Sequence, residues 1–568
     1  MDPDKITYFA ETDSRGKRKK FGIKAKDRAK HLYVIGKTGM GKSVLLENLA
    51  IQDIQNGNGI AFIDPHGGSA EKLLDYVPES RIKDVLYFAP FDMEYPISFN
   101  VLEDIGVDKR HLVVNGLMST FEKIWVDAWS ARMAYILSNT LLALLEYPGA
   151  TLLGVNRMLS DKDYRKKVVD NIKDPSVKSF WVDEFAKYTD KYAAEATPAI
   201  QNKVGQFTSN PLVRNLIGQT ESTFDIRNFM DEKKILIINM SKGLVGEGNA
   251  NLLGSMLITK IYLAAMSRAD KSEAELAKLP NFYLYVDEFQ SFANKSFADI
   301  LSEARKYKLN LTIAHQYIEQ MEEEVRDAVF GNAGTMITFR VGAFDAEVLE
   351  KEFEPTFMAT DLVNLGKFQI YLKLMIDGVS SQPFSATTMA PITRPEVSFR
   401  DEVIKSSREQ FGRPRAVVEK NIIEWHNLGT AREVKTQFQS DVSQREKSGE
   451  QNSRQERSRE ESRRLPAQEE KPRIDENKHV FIKAKEELMQ KQTFAPRANR
   501  QDTDRKTPNK ENKNSLKDAL AGVLKQSNGQ DNKSKESEQK PQERKEPEKK
   551  QEAKQNEVPE NVLRDLLK

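Results

Sequence analysis

Residues 31–43, HLYVIGKTGMGKS, limit the possible folds of this chain more than any other stretch. Residues 36–43 fit the phosphate-loop pattern G-x-x-x-x-G-K-[ST] at every position. The apolar residues 32–35 predict a buried strand before the loop, and residues 43–50 predict the start of a helix after it. A strand, a glycine-rich loop and a helix in this order surround phosphate oxygens with backbone N–H groups and a helix N-terminus. The pattern therefore predicts a nucleotide site in an α/β protein.

The side chains of the loop add to what its backbone supplies. Lys42 is expected to reach the β- and γ-phosphates, and the Ser43 hydroxyl is expected to ligate Mg2+. The candidate nucleotide-binding residues are Gly36, Lys37, Thr38, Gly39, Met40, Gly41, Lys42 and Ser43.

A second apolar stretch, NFYLYVDEFQ at residues 281–290, ends in two acidic residues. Residues 282–286 are apolar on both faces, which is typical of a central strand in a parallel sheet. Such a strand delivers Asp287 and Glu288 to the sheet edge where ligands bind. Asp287 suits the magnesium shell, and Glu288 suits the polarisation of an attacking water. An Asp-Glu pair can also cap a helix, but the intact phosphate loop favours the catalytic interpretation.

Three more residues are candidates for the nucleotide site, and each also has an ordinary structural interpretation. Gln316 ends a predicted strand, where its amide can bond the γ-phosphate or the attacking water, or simply begin a loop. Arg305 lies on the preceding amphipathic helix, where it can reach a neighbouring subunit's nucleotide or be a solvated arginine. His66 follows a strand that ends in Asp64, near the nucleotide, and a turn hydrogen bond is its favoured role.

Composition limits what else the chain can be. Its 568 residues are too many for one core, so two folded domains and additional segments are expected. With 87 basic and 85 acidic residues the formal net charge is +2, so any nucleic-acid surface must be local. The absence of cysteine excludes disulfides and thiolate metal sites. The histidines show no ligand spacing, and no metal site is predicted besides that of the nucleotide's Mg2+.

No membrane-spanning segment is predicted from the apolar windows. Residues 133–145 and 252–266 are the most apolar, and both are shorter than the roughly 18–20 residues that cross a bilayer. The amino terminus lacks the apolar core of a signal peptide. We therefore expect a cytoplasmic protein that reaches the inner face of the membrane through a partner.

Several ordered motifs together resemble one family. These are the GKTGMGKS loop, IDPHG at residues 63–67, LYVDEFQSF at 284–292, ARKYKLNLTIAHQ at 304–316, and a helical stretch with SFWVDEF and NPLVRNLIGQ. The set is similar to type IV secretion coupling proteins of the TraD/TraG kind, in the HerA/FtsK superfamily of ring-forming DNA-pumping ATPases. The resemblance covers residues 18–392, about two thirds of the chain.

The resemblance implies an α/β RecA-like P-loop motor with an inserted all-helical domain and a hexameric ring. Together with the residue patterns, it predicts a polar start (1–20), the first motor part (21–106), the helical domain (107–230) and the second motor part (231–392), and the composition predicts a charged tail (393–568). The resemblance implies ATP and Mg2+ as cofactors, with Ser43 and Asp287 as metal ligands. The implied catalytic residues are Lys42, Glu288, Gln316 and a trans-acting Arg305.

The implied function is an ATP-driven DNA translocase that feeds a type IV secretion or conjugation system. Its implied partners are DNA bound without base specificity, further copies of the chain, and secretion-channel or relaxosome proteins. Membrane-bound coupling proteins carry transmembrane helices ahead of the motor, whereas here the loop follows 35 residues without one. The alternatives are a soluble HerA-like translocase in DNA end processing and a nucleotide-binding adaptor without hydrolysis.

Beyond Arg400 the composition becomes charged and polar, which predicts a mostly disordered tail that is dispensable for the motor. Residues 515–525 and 561–568 have the spacing of short amphipathic helices. Either helix is a candidate docking segment, or a frayed helix without function.

Overall fold

A computed structural model describes residues 2–12, 18–103 and 105–427. Eleven of the strands in this described part form one sheet, and β11 and β12 pair separately as a hairpin. The strands are β1 (Ile6–Glu11), β2 (Lys20–Lys24), β3 (Leu32–Ile35), β4 (Gly59–Asp64), β5 (Val85–Phe88), β6 (Ile235–Asn239), β7 (Phe282–Val286), β8 (Leu309–His315), β9 (Thr335–Thr338), β10 (Gln369–Lys373), β11 (Met375–Ile376), β12 (Val379–Ser380) and β13 (Phe384–Thr388).

The order of the sheet is β2-β1-β13-β10-β9-β3-β8-β7-β4-β6-β5. The strands from β9 to β5 in this order run parallel, while β10, β13, β1 and β2 pair antiparallel. The phosphate-loop strand β3 is central, and β8 separates it from the acidic strand β7. Because these strands are parallel, their carboxyl ends meet at one edge of the sheet.

Helices cover both faces of the sheet. They are α1 (Lys42–Gln55), α2 (Gly68–Leu74), α3 (Arg110–Ile124), α4 (Ala131–Leu145), α5 (Gly154–Ser160), α6 (Lys162–Asn171), α7 (Pro175–Ser179), α8 (Asp190–Ala196), α9 (Pro198–Thr208), α10 (Pro211–Ile217), α11 (Ile226–Asp231), α12 (Lys242–Val245), α13 (Glu247–Met266), α14 (Glu273–Lys278), α15 (Ser296–Glu303), α16 (Glu323–Asn332), α17 (Ala343–Phe353), α18 (Ala359–Asn364) and α19 (Arg400–Phe411).

The core has two parts, one on each face of the sheet. Side chains alternate along β3: Leu32 and Val34 pack with α1 and α2, while Tyr33 and Ile35 face α13 and α15. Between β5 and β6, the described residues form helices and loops without a strand. This helical segment shares its core with the α13 face. The predicted α/β RecA-like fold with an all-helical insertion is confirmed, and the domain limits stay predictions.

The sheet begins earlier than the sequence indicates. Residues 1–20 are predicted to be a separate polar segment, but β1 lies within the sheet between β2 and β13. The pairing of β1 with β2 shifts register between Tyr8 and Ala10. A bulge of this kind interrupts the alternation of polar and apolar residues by which a strand is recognised in a sequence.

The ordered part also continues past the predicted start of the tail. Helix α19 packs against β5, where Val403 is fully buried and the Tyr87 N–H donates to Ser407 Oγ at 2.9 Å. Residues 415–427 are helical and bury Val418 and Ile422 against Leu153 of the helical segment. The prediction of disorder is therefore wrong for residues 400–427, while their dispensability for the motor stays a prediction. Residues 428–568, with the helices predicted at 515–525 and 561–568, lie outside the described residues.

One helix in the described part, Glu247–Asp270, is long and apolar enough to cross a membrane by length and composition. Its most apolar window is 67% buried inside the protein. It packs against α3, and the side chains of Leu252, Leu253 and Leu257 are fully buried. These contacts are those of a core helix.

Candidate nucleotide-binding and hydrolysis site

The phosphate loop connects β3 to α1 at the carboxyl edge of the sheet. Gly41 has φ 123°, and a Cβ at this position would lie 2.9 Å from the Phe368 ring. A residue with a side chain would therefore be strained as well as crowded. Lys42 is buried, and its Nζ donates to the carbonyl oxygen of Gly36 at 2.6 Å and of Lys37 at 3.3 Å. Burial lowers the pKa of Lys42, while Glu288 and Asp287 act in the opposite direction.

The acidic residues follow β7, in a segment that we call the acidic loop, residues 287–295. Asp287 is buried, and its Oδ2 accepts a hydrogen bond from Ser43 Oγ at 2.9 Å. Burial raises the pKa of Asp287 to about 6, and the negative charges of Glu288 and Asp64 add to the shift. A hydroxyl and a carboxylate are ligands that Mg2+ prefers. Because these carboxylates disfavour one another's charge, the position suits a divalent cation.

Glu288 is held in an unusual conformation. Its backbone is left-handed, with φ 47° and ψ 48°, which is uncommon for a residue other than glycine, asparagine or aspartate. Gln316 Nε2 donates to Glu288 Oε1, and Gln290 Nε2 donates to Glu288 Oε2 at 2.5 Å. Thr38 Oγ1 in turn donates to Gln316 Oε1 at 3.0 Å. A chain of side chains therefore joins the phosphate loop to the acidic loop.

A cavity of about 310 Å³ lies where the two loops meet. Its lining includes phosphate-loop residues, Glu288, Gln316, His66 and Phe368. His66 lines this cavity, and its backbone N–H makes the turn hydrogen bond by donating to Asp64 Oδ1 at 2.8 Å. The donors and acceptors around the cavity fit a triphosphate with a divalent cation.

Phe368 forms an aromatic wall of the cavity beside Gly41. It has φ 67°, and hydrogen bonds to Met40 and Thr388 fix its backbone. The Phe368 N–H donates to Met40 O at 3.1 Å, and the Phe368 carbonyl accepts from the Thr388 N–H at 2.9 Å. The residue is 38% exposed, and Lys367 Nζ lies 4.9 Å from the centre of its ring.

The structure brings together most of the predicted site residues: Gly36 to Ser43, Asp287, Glu288 and Gln316. It does not bring Arg305 to this site. Arg305 is exposed in the short helix Ala304–Tyr307, which precedes β8 and so lies at the amino edge of the parallel strands. Its charge acts instead on His31, which precedes β3 at that same edge. The catalytic role of each residue stays a prediction.

Sequence reasoning missed Phe368, Gln290 and the contacts that hold the acidic loop. Phe368 lies far along the chain from the phosphate loop, and nothing in its neighbouring residues indicates a nucleotide site. Gln290 gives a weak signal because it follows Glu288 by two residues. Within the described ranges, no group of three or more His, Cys, Asp or Glu side chains is arranged to hold another metal ion.

The chain is similar to known proteins over most of its described length. The family model for type IV secretory system conjugative DNA transfer matches residues 5–340, which is more than half of the 568 residues. A comparison with curated proteins gave no match.

Solved structures give weaker likenesses. The plasmid coupling protein TrwB with a non-hydrolysable ATP analogue is 14% identical, with a TM-score of 0.49, over 70% of this chain and 98% of that one. TrwB with ADP and Mg2+ is 16% identical, with a TM-score of 0.48, over 69% of this chain and 96% of that one. VirB4 of Thermoanaerobacter pseudethanolicus is 12% identical, with a TM-score of 0.44, over 70% of this chain and 99% of that one.

At these scores and identities no conclusion rests on the structural likenesses. The family match, by contrast, spans the phosphate loop, the helical segment, the acidic loop and Gln316. The strand order and the joined loops agree with it, since they form the site of a P-loop NTPase. The chain belongs to the type IV secretory system conjugative DNA transfer family.

Proposed function

We propose that the protein hydrolyses ATP with Mg2+ and uses the energy to move DNA in a conjugation-like transfer system. The observation that carries the hydrolysis is the hydrogen-bond chain from Thr38 through Gln316 to Glu288. These hydrogen bonds hold a carboxylate and an amide opposite the phosphate loop, where a γ-phosphate and an attacking water would lie.

The chemistry assigned to the site is metal-assisted transfer of the γ-phosphoryl group to water. Glu288 would orient and polarise the water, while Lys42 and the loop N–H groups would neutralise charge that develops on the phosphates. Ser43 and Asp287 would hold Mg2+, which when bound neutralises phosphate oxygens. Gln316, bonded to both Thr38 and Glu288, would sense whether the γ-phosphate is present.

Movement of DNA rests on the family match, whose description is conjugative DNA transfer. We propose that DNA is gripped through its phosphates without base specificity, in a hexameric ring of this chain. The ring would work in the cytoplasm and meet the membrane through secretion-channel or relaxosome proteins. The helical domain, proposed as residues 107–230, would divide the motor parts 21–106 and 231–392.

We propose that Arg305 acts on the nucleotide of a neighbouring subunit. Its exposure at the amino edge of the strands separates it from its own site and leaves it free to face another subunit. Mixing inactive Arg305→Ala subunits with inactive Glu288→Gln subunits should then restore some hydrolysis, because some mixed interfaces pair two intact residues. Verified mixed rings without any recovery would argue against the assignment.

The proposed function is tested by ATPase assays with no DNA, with single-stranded DNA and with duplex DNA. We expect magnesium-dependent hydrolysis that DNA stimulates, and none from a Lys42→Ala control. Hydrolysis that no DNA stimulates would overturn the proposed DNA motor. A wild-type protein that binds ATP without turnover would instead support the nucleotide-binding adaptor.

A further inference from the structure

Lys123, near the carboxyl end of α3, reaches from the helical segment to the acidic loop. Its Nζ donates to the carbonyl oxygen of Gln290 at 2.7 Å and to that of Ala293. Burial lowers the pKa of Lys123 to about 8; Glu322 opposes this shift and Lys242 adds to it. The side chain therefore remains mostly charged at neutral pH. An ammonium donates to carbonyl oxygens more strongly than a neutral group does.

Other contacts show that α3 fixes the acidic loop along its length. Asn294 Nδ2 donates to Thr120 Oγ1 at 3.2 Å, and Lys295 Nζ lies 3.1 Å from Glu122 Oε1. The other side of the loop is fixed by the sheet's own helices: Lys242 Nζ donates to Ser291 Oγ at 2.9 Å. Movement of α3 relative to the sheet would therefore be transmitted to this loop.

A short path connects Lys123 to the carboxylate that is assigned to the attacking water. Lys123 holds the backbone of Gln290, and the side chain of Gln290 donates to Glu288 Oε2 at 2.5 Å. Glu288 itself has a left-handed backbone, which persists only where surrounding contacts hold it. Loss of the Lys123 contacts would let both Gln290 and Glu288 relax.

We propose that Lys123 is a positioning residue by which the helical segment holds Glu288 in place for hydrolysis. The inference rests on the proposed ATP hydrolysis. According to this proposal, the helical segment is connected to the site through hydrogen bonds of Lys123. A displacement of α3 would therefore change the position of Glu288 and the rate of ATP hydrolysis. The contact is made behind the catalytic residues, and Lys123 is absent from the lining of the cavity. ATP binding is therefore expected to be independent of it.

The experiment compares steady-state ATPase kinetics of Lys123→Met and Lys123→Arg with wild type. Methionine retains the length and apolar stem of lysine without its donors, whereas arginine retains donors and charge. We expect Lys123→Met to lower kcat about 10-fold with an unchanged KM for ATP, and Lys123→Arg to recover at least half of that loss. The matched control is Lys109→Met, which precedes the same helix about 20 Å from Lys123. It should leave kcat unchanged.

A second variant tests the path and does not depend on how Lys123→Met folds. Gln290→Ala alone should lower kcat without changing KM, and adding it to Lys123→Met should lower kcat little further, because both act through Glu288. An unchanged kcat in either folded single variant, or effects that multiply in the double variant, would overturn the proposal. If wild type itself hydrolyses no ATP, the proposed function fails instead, so the two failures are distinguishable.

Discussion

The phosphate loop and the acidic loop face one cavity, yet only the phosphate loop carries a complete binding pattern in its own residues. Lys42 of the phosphate loop bonds the carbonyl of Gly36, six residues away. The acidic loop takes its contacts from distant parts of the chain: Asp287 meets Ser43 across 244 residues, and Gln290 meets Lys123 across 167. The phosphate loop also bonds distant residues such as Arg340 and Phe368, but its eight-residue pattern is complete in itself. Glu288 of the acidic loop has no such local pattern and is positioned by Gln316 and Gln290.

This difference indicates which loop is more sensitive to substitutions far from the site. The glycines that allow the backbone of the phosphate loop lie within residues 36–43, so its pattern does not depend on distant parts of the sequence. A loop held by three other elements can be altered by a change in any of them. Helix α19 and the helical residues 415–427 are likewise held by contacts with residues that are distant in the sequence.

The largest expected effect comes from removing those helices. A protein ending at residue 427 should keep the stability of the full chain, whereas one ending at residue 399 loses the buried Val403, Val418 and Ile422. Each full burial is worth about 1.5–3 kcal/mol, so the shorter protein should lose about 5 kcal/mol of unfolding free energy. Urea unfolding of both proteins measures the difference. Equal stability would show that residues 400–427 contribute nothing to the fold.

Acid should destabilise the fold through two buried histidines. Burial lowers the pKa of His31, before β3, to about 4 and that of His315, at the end of β8, to about 3. Both values lie below the usual value of about 6.5, so the unfolded chain binds more protons than the folded one. The unfolding free energy is therefore highest above about pH 6.5, where both histidines are neutral in the unfolded chain as well. It falls as the pH decreases toward the pKa values of the histidines in the folded protein.

The expected loss at pH 5 is about 2 kcal/mol for each histidine. His31 is neutral with its proton on Nε2, since Nδ1 accepts from the Leu311 N–H and Nε2 donates to the Leu301 carbonyl. Urea unfolding at pH 7 and pH 5 should show a smaller difference for His31→Asn than for wild type. The same difference in both proteins would contradict the assignment.

The site could be predicted from the sequence only as far as it is local. The phosphate loop was complete in eight consecutive residues, and the apolar run of β7 located Asp287 and Glu288. Phe368 and Lys123 were missed because each acts through contacts with residues that are far away in sequence. The helices after residue 400 were missed because a few apolar residues, such as Val403, are diluted by the composition of a long polar segment.

A smaller effect is expected at the aromatic wall. Phe368→Ala should weaken ATP binding about fivefold, which is the usual worth of one lost stacking contact of about 1 kcal/mol. Binding of inorganic tripolyphosphate, which has no base, should be unchanged, and Phe368→Tyr should bind ATP as wild type does. Titration calorimetry measures both ligands. Equal weakening of ATP and tripolyphosphate would mean that Phe368 shapes the phosphate loop rather than contacting the base.

The central claim is that the phosphate loop and the acidic loop together form one hydrolytic site. The most direct measurement is phosphate release by the Glu288→Gln protein at saturating ATP and Mg2+, with ATP binding measured on the same protein. Glutamine keeps the size of the side chain but not its negative charge, and its one oxygen can accept only one of the two hydrogen bonds that Glu288 accepts from Gln316 and Gln290. We expect ATP binding to be retained and release to fall at least about 100-fold. Release at the wild-type rate would contradict the claim, because the acidic loop would then have no part in the chemistry.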